Sequence, residues 1–146
     1  MRGEYDFSKD LPKGESAQHF IYRVFKKKFP HAEESKGYNR GWDIKVGETK
    51  FEVKRDFRSH ETGNYFVETA YGGMDSGIST TESDYYILVD NDFVIIIPTE
   101  TLLYIIRDIK EFSYPPKGRD GIRTGKLVSR EKVKFYGKVW SKKQKD

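Results

Sequence analysis

Asp43, Glu52 and Lys54 are side chains whose types and spacing suit work on a phosphate. Trp42-Asp43-Ile44-Lys45-Val46 and Lys50-Phe51-Glu52-Val53-Lys54 alternate apolar and polar residues around Val46-Gly47-Glu48-Thr49, the pattern of a β-hairpin. A tight turn there sets Ile44 opposite Phe51, Trp42 opposite Val53 and Asp43 opposite Glu52. The large apolar side chains then share one face and the charges the other. Lys54, two residues past Glu52, falls on the charged side within about 7 Å of it. Opposed carboxylates repel, and a divalent cation would relieve the repulsion. Two carboxylates suit a hard ion, Mg²⁺ with Mn²⁺ substituting, whose other positions take water and phosphate oxygens. With Asp43 and Glu52 as ligands, such an ion would polarise a phosphoryl oxygen and acidify a water. Lys54 would orient that water or offset charge on the phosphorane. That is the chemistry of phosphodiester hydrolysis, driven by electrostatic positioning.

An acid, any residue and then Lys also occurs at Glu34–Lys36, Asp43–Lys45, Glu48–Lys50 and Asp108–Lys110. Only the hairpin context singles out Glu52–Lys54. The plain structural alternative is a two-stranded ribbon with a solvated face on which Lys54 neutralises one carboxylate.

The elements around the hairpin follow from periodicity. Residues 14–28 place Ala17, Phe20, Ile21, Val24 and Phe25 at helical spacing, with Lys26, Lys27 and Lys28 at the end and Pro30 beyond. Tyr65–Tyr71 reads as a third strand, followed by a Gly-rich loop. A short helix is expected near Ser79, whose spacing to Glu82 fits a capping box. Tyr85–Val89 and Phe93–Ile97 are continuous apolar runs, the mark of strands at a sheet's centre. Thr99–Asp108 is a second helix opened by Pro98, Tyr114–Gly125 a loop, and Lys126–Ser129 an edge strand. Together these predict an α/β domain with a mixed central sheet flanked by helices.

With 146 residues the chain suits one domain, 1–146, and its 36% hydrophobic and 15% aromatic content suits a folded core. It has no Cys, which excludes disulfides, thiolate nucleophiles and cysteine zinc sites and makes the cytoplasm the default compartment. The longest apolar runs are far too short to span a membrane, and Met1-Arg2-Gly3-Glu4-Tyr5 lacks a signal-peptide core. The net charge of +4 is uneven: residues 117–146 hold 11 Lys or Arg against 3 acids, leaving the rest of the chain acidic. A basic segment with Phe135, Tyr136 and Trp140 suits a polyanion that also offers faces for stacking, as nucleic acid does. A solvated basic tail is the plain alternative. His19, His31 and His60 show no metal-ligand spacing, and there is no glycine-rich nucleotide loop.

An acid at position 15 on an early helix, Gly41-Trp42-Asp43, a tight hairpin, Phe51-Glu52-Val53-Lys54, a strand with Glu68 and a later helix, all within residues 14–97, resemble the PD-(D/E)XK nuclease superfamily. The resemblance implies a restriction-endonuclease-like core, with Asp43, Glu52 and Lys54 as the central set. It makes Glu15 the helix acid and the Val53 carbonyl a further metal ligand. Trp42 stands where the name-giving Pro would be, and the interval from Asp43 to Glu52 is short. Glu68 would add a ligand or position a water. Ser79 and Thr80, in the hydroxyl-rich stretch Ser76–Thr81, would grip a phosphate at a helix start or simply cap it. Arg40, Arg55, Arg58, Lys26 and Lys27 would meet backbone phosphates. The expectation is a Mg²⁺-dependent DNA endonuclease acting on structured or weakly specified DNA, with a homodimer by analogy. RNA as substrate, exonucleolytic trimming, and a non-catalytic nucleic-acid-binding module using the basic C-terminal segment are the alternatives.

Overall fold

The computed structural model describes residues 16–36, 41–56, 62–90, 93–114 and 121–141. The first helix, α1 (Ala17–Lys28), begins where the Ser16 hydroxyl accepts the His19 N–H at 3.0 Å. It buries the five apolar residues that its periodicity marks, and its last turn carries Lys26, Lys27 and Lys28, favourable at a helix C-terminus. Strands β1 (Glu33–Glu34), β2 (Ile44–Val46), β3 (Thr49–Arg55), β4 (Asn64–Tyr71) and β5 (Met74–Asp75) follow. After a single 3₁₀ turn at Gly77–Ser79 come β6 (Tyr85–Val89), β7 (Phe93–Pro98), α2 (Thr99–Ile106), β8 (Phe112–Tyr114), β9 (Arg123–Ser129), α3 (Arg130–Tyr136) and β10 (Lys138–Ser141).

The strands form two sheets. Six make a mixed sheet in the order β1-β2-β3-β6-β7-β10, in which β3 and β6 run parallel and every other neighbour is antiparallel. The apolar runs β6 and β7 lie in its interior, as their composition demands. The other four strands form an antiparallel sheet in the order β5-β4-β9-β8. The α/β class with a mixed central sheet is therefore as expected, and among the described residues three α-helices accompany it.

Two apolar clusters hold the layers together. On one face of the mixed sheet, α1 packs Phe20, Ile21, Val24 and Phe25 against Ile44, Val53, Ile87, Val89 and Val94. On the other face Tyr86, Leu88, Ile95 and Ile97 meet Tyr65, Val67 and Val128 of the second sheet, with Leu102, Ile105 and Ile106 of α2 and Val133 of α3. Alternation along β3 thus sends Val53 to the α1 side and Glu52 and Lys54 to the side of the second sheet.

Four expectations need correction. Lys126–Ser129 is no edge strand: β9 starts at Arg123 and lies between β4 and β8. Its Gly125, which reads as loop, is there because a Cβ would overlap the Val67 carbonyl and come within 2.6 Å of the Phe66 ring. No helix starts at Ser79. The chain makes one 3₁₀ turn whose Gly77, at φ 55°, lies with its Cα against the Glu68 carbonyl, where no Cβ fits. Glu82 closes no capping box but lies 3.6 Å from the Lys50 ammonium. The second helix stops at Ile106, with Arg107 and Asp108 already in the following turn. Among the described residues, no helix is long and apolar enough to cross a membrane.

Candidate active site

The hairpin keeps the register its sequence demands, with Ile44 opposite Phe51, Lys45 opposite Lys50 and Val46 opposite Thr49. Regular pairing stops one residue short of the proposed ligand. The Asp43 N–H donates to the Phe51 carbonyl at 2.8 Å, and the Asp43 carbonyl accepts from Ser35 N–H at 2.8 Å. This break shifts what precedes it. Trp42, expected on the apolar face opposite Val53, lies outside both core clusters, with the Lys45 ammonium 5.9 Å from its ring centre. One residue of slippage in a strand turns a side chain to the other face.

The same break lets the Asp43 carboxylate reach along β3 and accept the Val53 N–H at 2.8 Å. Glu52 is gripped from two sides: Lys54 Nζ lies 3.2 Å from one carboxylate oxygen, and the Thr81 hydroxyl donates to the other at 3.4 Å. Burial pushes the Asp43 carboxyl above its ordinary pKa against the pull of the Val53 N–H and Lys54, and the charge of Glu34 adds to the rise. Burial also raises Glu52, and the Asp43 charge raises it further, while Lys54 and Thr81 oppose the shift. The structure therefore brings Asp43, Glu52 and Lys54 together, with two carboxylates that repel each other in a half-buried setting.

That repulsion has a thermodynamic sign. A carboxyl whose native pKa is raised binds its proton more tightly folded than unfolded, so stability falls as pH rises through the raised range and returns on acidification. Glu52→Gln keeps the shape and removes the charge. It is expected to raise the Tm of the cation-free protein at neutral pH by about 2–4 °C, with the gap closing as pH falls through the carboxylate range. Mg²⁺ should raise the wild-type Tm and leave the variant's nearly unmoved. Thermal melts across pH, with EDTA and with Mg²⁺, check both.

Three neighbours of the site escape a reading of the sequence. Tyr86 pairs with Glu52 across the parallel β3–β6 ladder, and burial together with the charges of Glu52, Asp43 and Glu68 holds its phenol firmly protonated. Thr81 follows the 3₁₀ turn and touches Glu52. Glu34, on β1, holds His19 Nδ1 at 2.8 Å and Gln18 Nε2 at 3.3 Å and adds negative charge near Asp43. Nothing local gives their place at the site, even for Thr81 at the end of the hydroxyl-rich stretch, because each is brought in by a pairing or packing between distant segments.

The remaining candidates divide. Glu68 comes near enough to act on Tyr86, yet its carboxylate accepts from the Ser76 hydroxyl at 2.8 Å and lies 3.5 Å from Arg123 Nε. Among the described residues, no three His, Cys, Asp or Glu gather into a group that could hold a metal. Ser79 and Thr80 are exposed just before Thr81, so the segment reaches the site without the helix start expected of it. Arg55 follows Lys54 and alternates to the opposite side of the sheet. Lys26 donates to the Ala32 carbonyl at 3.3 Å, and it and Lys27 lie at the end of α1, about 13 Å along the axis from Gln18. Glu15, Arg40 and Arg58 lie outside the described residues.

The basic C-terminal segment is folded over its described part rather than trailing. Lys126 donates to the Ile106 carbonyl at 2.9 Å, Arg130 is 3.4 Å from Asp90, and Lys134 lies over the Phe93 ring. Trp140 packs against the α1-side core. No protein-family model, curated protein or solved structure matches the chain.

Proposed function

We propose that this protein is a metal-dependent nuclease that hydrolyses phosphodiester bonds in DNA at the site built on Asp43, Glu52 and Lys54, within a restriction-endonuclease-like core. One observation carries the reading: two half-buried carboxylates face each other with their pKa values raised, beside an ammonium held 3.2 Å from one of them. Lys54 offsets only part of that repulsion, since both carboxyls stay raised, and carboxylates perturbed in this way are a common mark of a functional site. The donor set fits Mg²⁺ or Mn²⁺, which need one or two carboxylates and take their other oxygens from water and phosphate. Asp43 and Glu52 would hold the ion, with the Val53 carbonyl as a further ligand. When bound, it supplies Lewis-acid polarisation of the scissile phosphate.

The chain's own groups have separable tasks. The Val53 N–H fixes the Asp43 carboxylate, and Thr81 fixes Glu52, so neither acid must be ordered when substrate arrives. Lys54, with its side chain 48% exposed, can turn from Glu52 toward an incoming phosphate and stabilise the charge that develops there. The protonated Tyr86 phenol can donate a hydrogen bond but cannot act as a base near neutral pH. Glu68 positions Ser76 and Arg123 at the rim.

The direct test incubates the purified chain with supercoiled plasmid, branched junctions and single strands, with Mg²⁺, Mn²⁺ or EDTA. Nicked or linear plasmid with Mg²⁺ and none with EDTA is the expected result. Binding without cutting under every cation would favour the non-catalytic module. Cations of the C-terminal segment must then be tested one at a time. Truncation at residue 130 would remove α3, with its fully buried Val133, and the strand β10.

A further inference from the structure

The outer face of the second sheet carries a patch that the proposed reaction does not use. Phe66 of β4 and Phe112 and Tyr114 of β8 form a three-ring cluster with centroids 5.0–5.7 Å apart, and the Arg123 guanidinium lies 5.4 Å from the centre of the Phe66 ring. The register explains their grouping. Phe112 stands opposite Gly125 and Tyr114 opposite Arg123, on the face away from the inward-turned Tyr65, Val67 and Val128. Gly125 leaves room for the Phe66 ring to lie across β9. Tyr114 and Arg123 are both exposed.

We propose that this face is a stacking platform for the unpaired bases of a single-stranded or branched nucleic acid whose backbone runs into the Asp43–Glu52 site. The proposal rests on the nuclease reading for the choice of nucleic acid as ligand and goes beyond it in naming the substrate's state. Charge complementarity separates this occupant from an apolar one. A nonpolar partner would take the Arg123–Glu68 ion pair out of water, and an acidic peptide would leave three rings without use. An unpaired strand offers both a π-face for each ring and a phosphate for the guanidinium, whereas a duplex hides its base faces. Lys126, Arg130 and Lys134, also in the basic segment, are turned to protein partners, while Arg123, 3.5 Å from Glu68, still keeps 54% of its side chain exposed over the rings. The platform is also continuous with the site. Glu68 lies 3.5 Å from Arg123 and acts electrostatically on Tyr86, the ladder partner of Glu52.

The test measures fluorescence anisotropy of the full chain in EDTA with a labelled oligothymidylate of about twenty nucleotides and with a duplex of equal length. Phe112→Leu/Tyr114→Leu keeps apolar bulk and removes two π-faces. It should weaken oligothymidylate binding about tenfold and change duplex binding less than about twofold. Tyr114→Phe should bind like wild type, and Arg123→Ala should lower the salt slope by about one. Should the double variant melt early, Tyr114→Leu alone, at an exposed residue of the edge strand β8, gives the reading. Unchanged oligothymidylate affinity, or an equal loss on duplex, overturns the platform. So does a wild-type dimer that the double variant dissolves without any change in nucleic-acid affinity. The two proposals fail separately. Binding through these rings without cutting under Mg²⁺ or Mn²⁺ keeps the platform and sinks the nuclease; cutting together with unaltered variant affinity does the reverse.

Discussion

Lys54→Ala is expected to lower the Mg²⁺-dependent cleavage rate by roughly 10²–10³, the usual cost of removing a group aimed at transition-state charge. Affinity for uncut DNA in EDTA should change little, because Lys54 is one exposed cation on a chain with 27 Lys and Arg. The loss should fall on kcat rather than KM. Lys54→Arg should recover little of it, since a planar guanidinium cannot stand in for a compact ammonium held 3.2 Å from the Glu52 carboxylate. Asp43→Asn and Glu52→Gln should be at least as damaging, and the melts described above guard against mistaking misfolding for lost chemistry. Single-turnover cleavage of plasmid by these variants is the measurement. A Lys54→Ala protein that cuts at the wild-type rate would leave the catalytic assignment without support.

The second large effect concerns stability and lies away from the site. Asp90 follows β6 with its side chain fully buried. It accepts the Tyr65 hydroxyl at 2.7 Å and the Phe93 N–H at 2.7 Å, and Arg130 Nε lies 3.4 Å from the same oxygen as the phenol. Burial and Asp90 together keep the Tyr65 phenol protonated. This cluster joins the two sheets and α3 at one point. Asp90→Ala leaves a buried guanidinium without its carboxylate and two donors without their acceptor, and is expected to cost about 3–5 kcal/mol. That is a large share of the stability of a typical domain. Asp90→Leu with Arg130→Met should recover part of the loss but not all, because Tyr65 and Phe93 still lack their acceptor. Urea titrations should show the midpoint falling at constant m.

What was legible in the sequence was local. The hairpin register could be read because Gly47-Glu48 marks the turn and the alternation of Ile44, Phe51 and Val53 fixes the faces, so the gathering of Asp43 near Glu52 and Lys54 emerged from neighbours in the chain, although the ladder ends at Ile44 and Asp43 does not pair directly with Glu52. The helix α1 was legible for the same reason. Long-range pairing was not. Tyr86 meets Glu52 only because β6 docks parallel to β3, and β4, which looked like another strand of the same sheet, pairs instead with β9. Gly125 read as a loop because its reason for being Gly is the ring of Phe66, far away in sequence. The break at Asp43 could not be foreseen either, as the Asp43 carbonyl accepts from Ser35, the residue just past β1.

The pairing of β4 with β9 also bears on how the chain is made. The ribosome delivers β4 well before β9, and until Arg123–Ser129 emerge β4 has neither its long ladder nor Val128 to cover Tyr65 and Val67. During that interval the nascent polypeptide presents an open, aromatic-rich edge, the kind of surface chaperones bind and aggregates recruit. Translation halted inside the β8–β9 connection therefore leaves a product that cannot shield this strand, whatever the state of the hairpin already formed upstream.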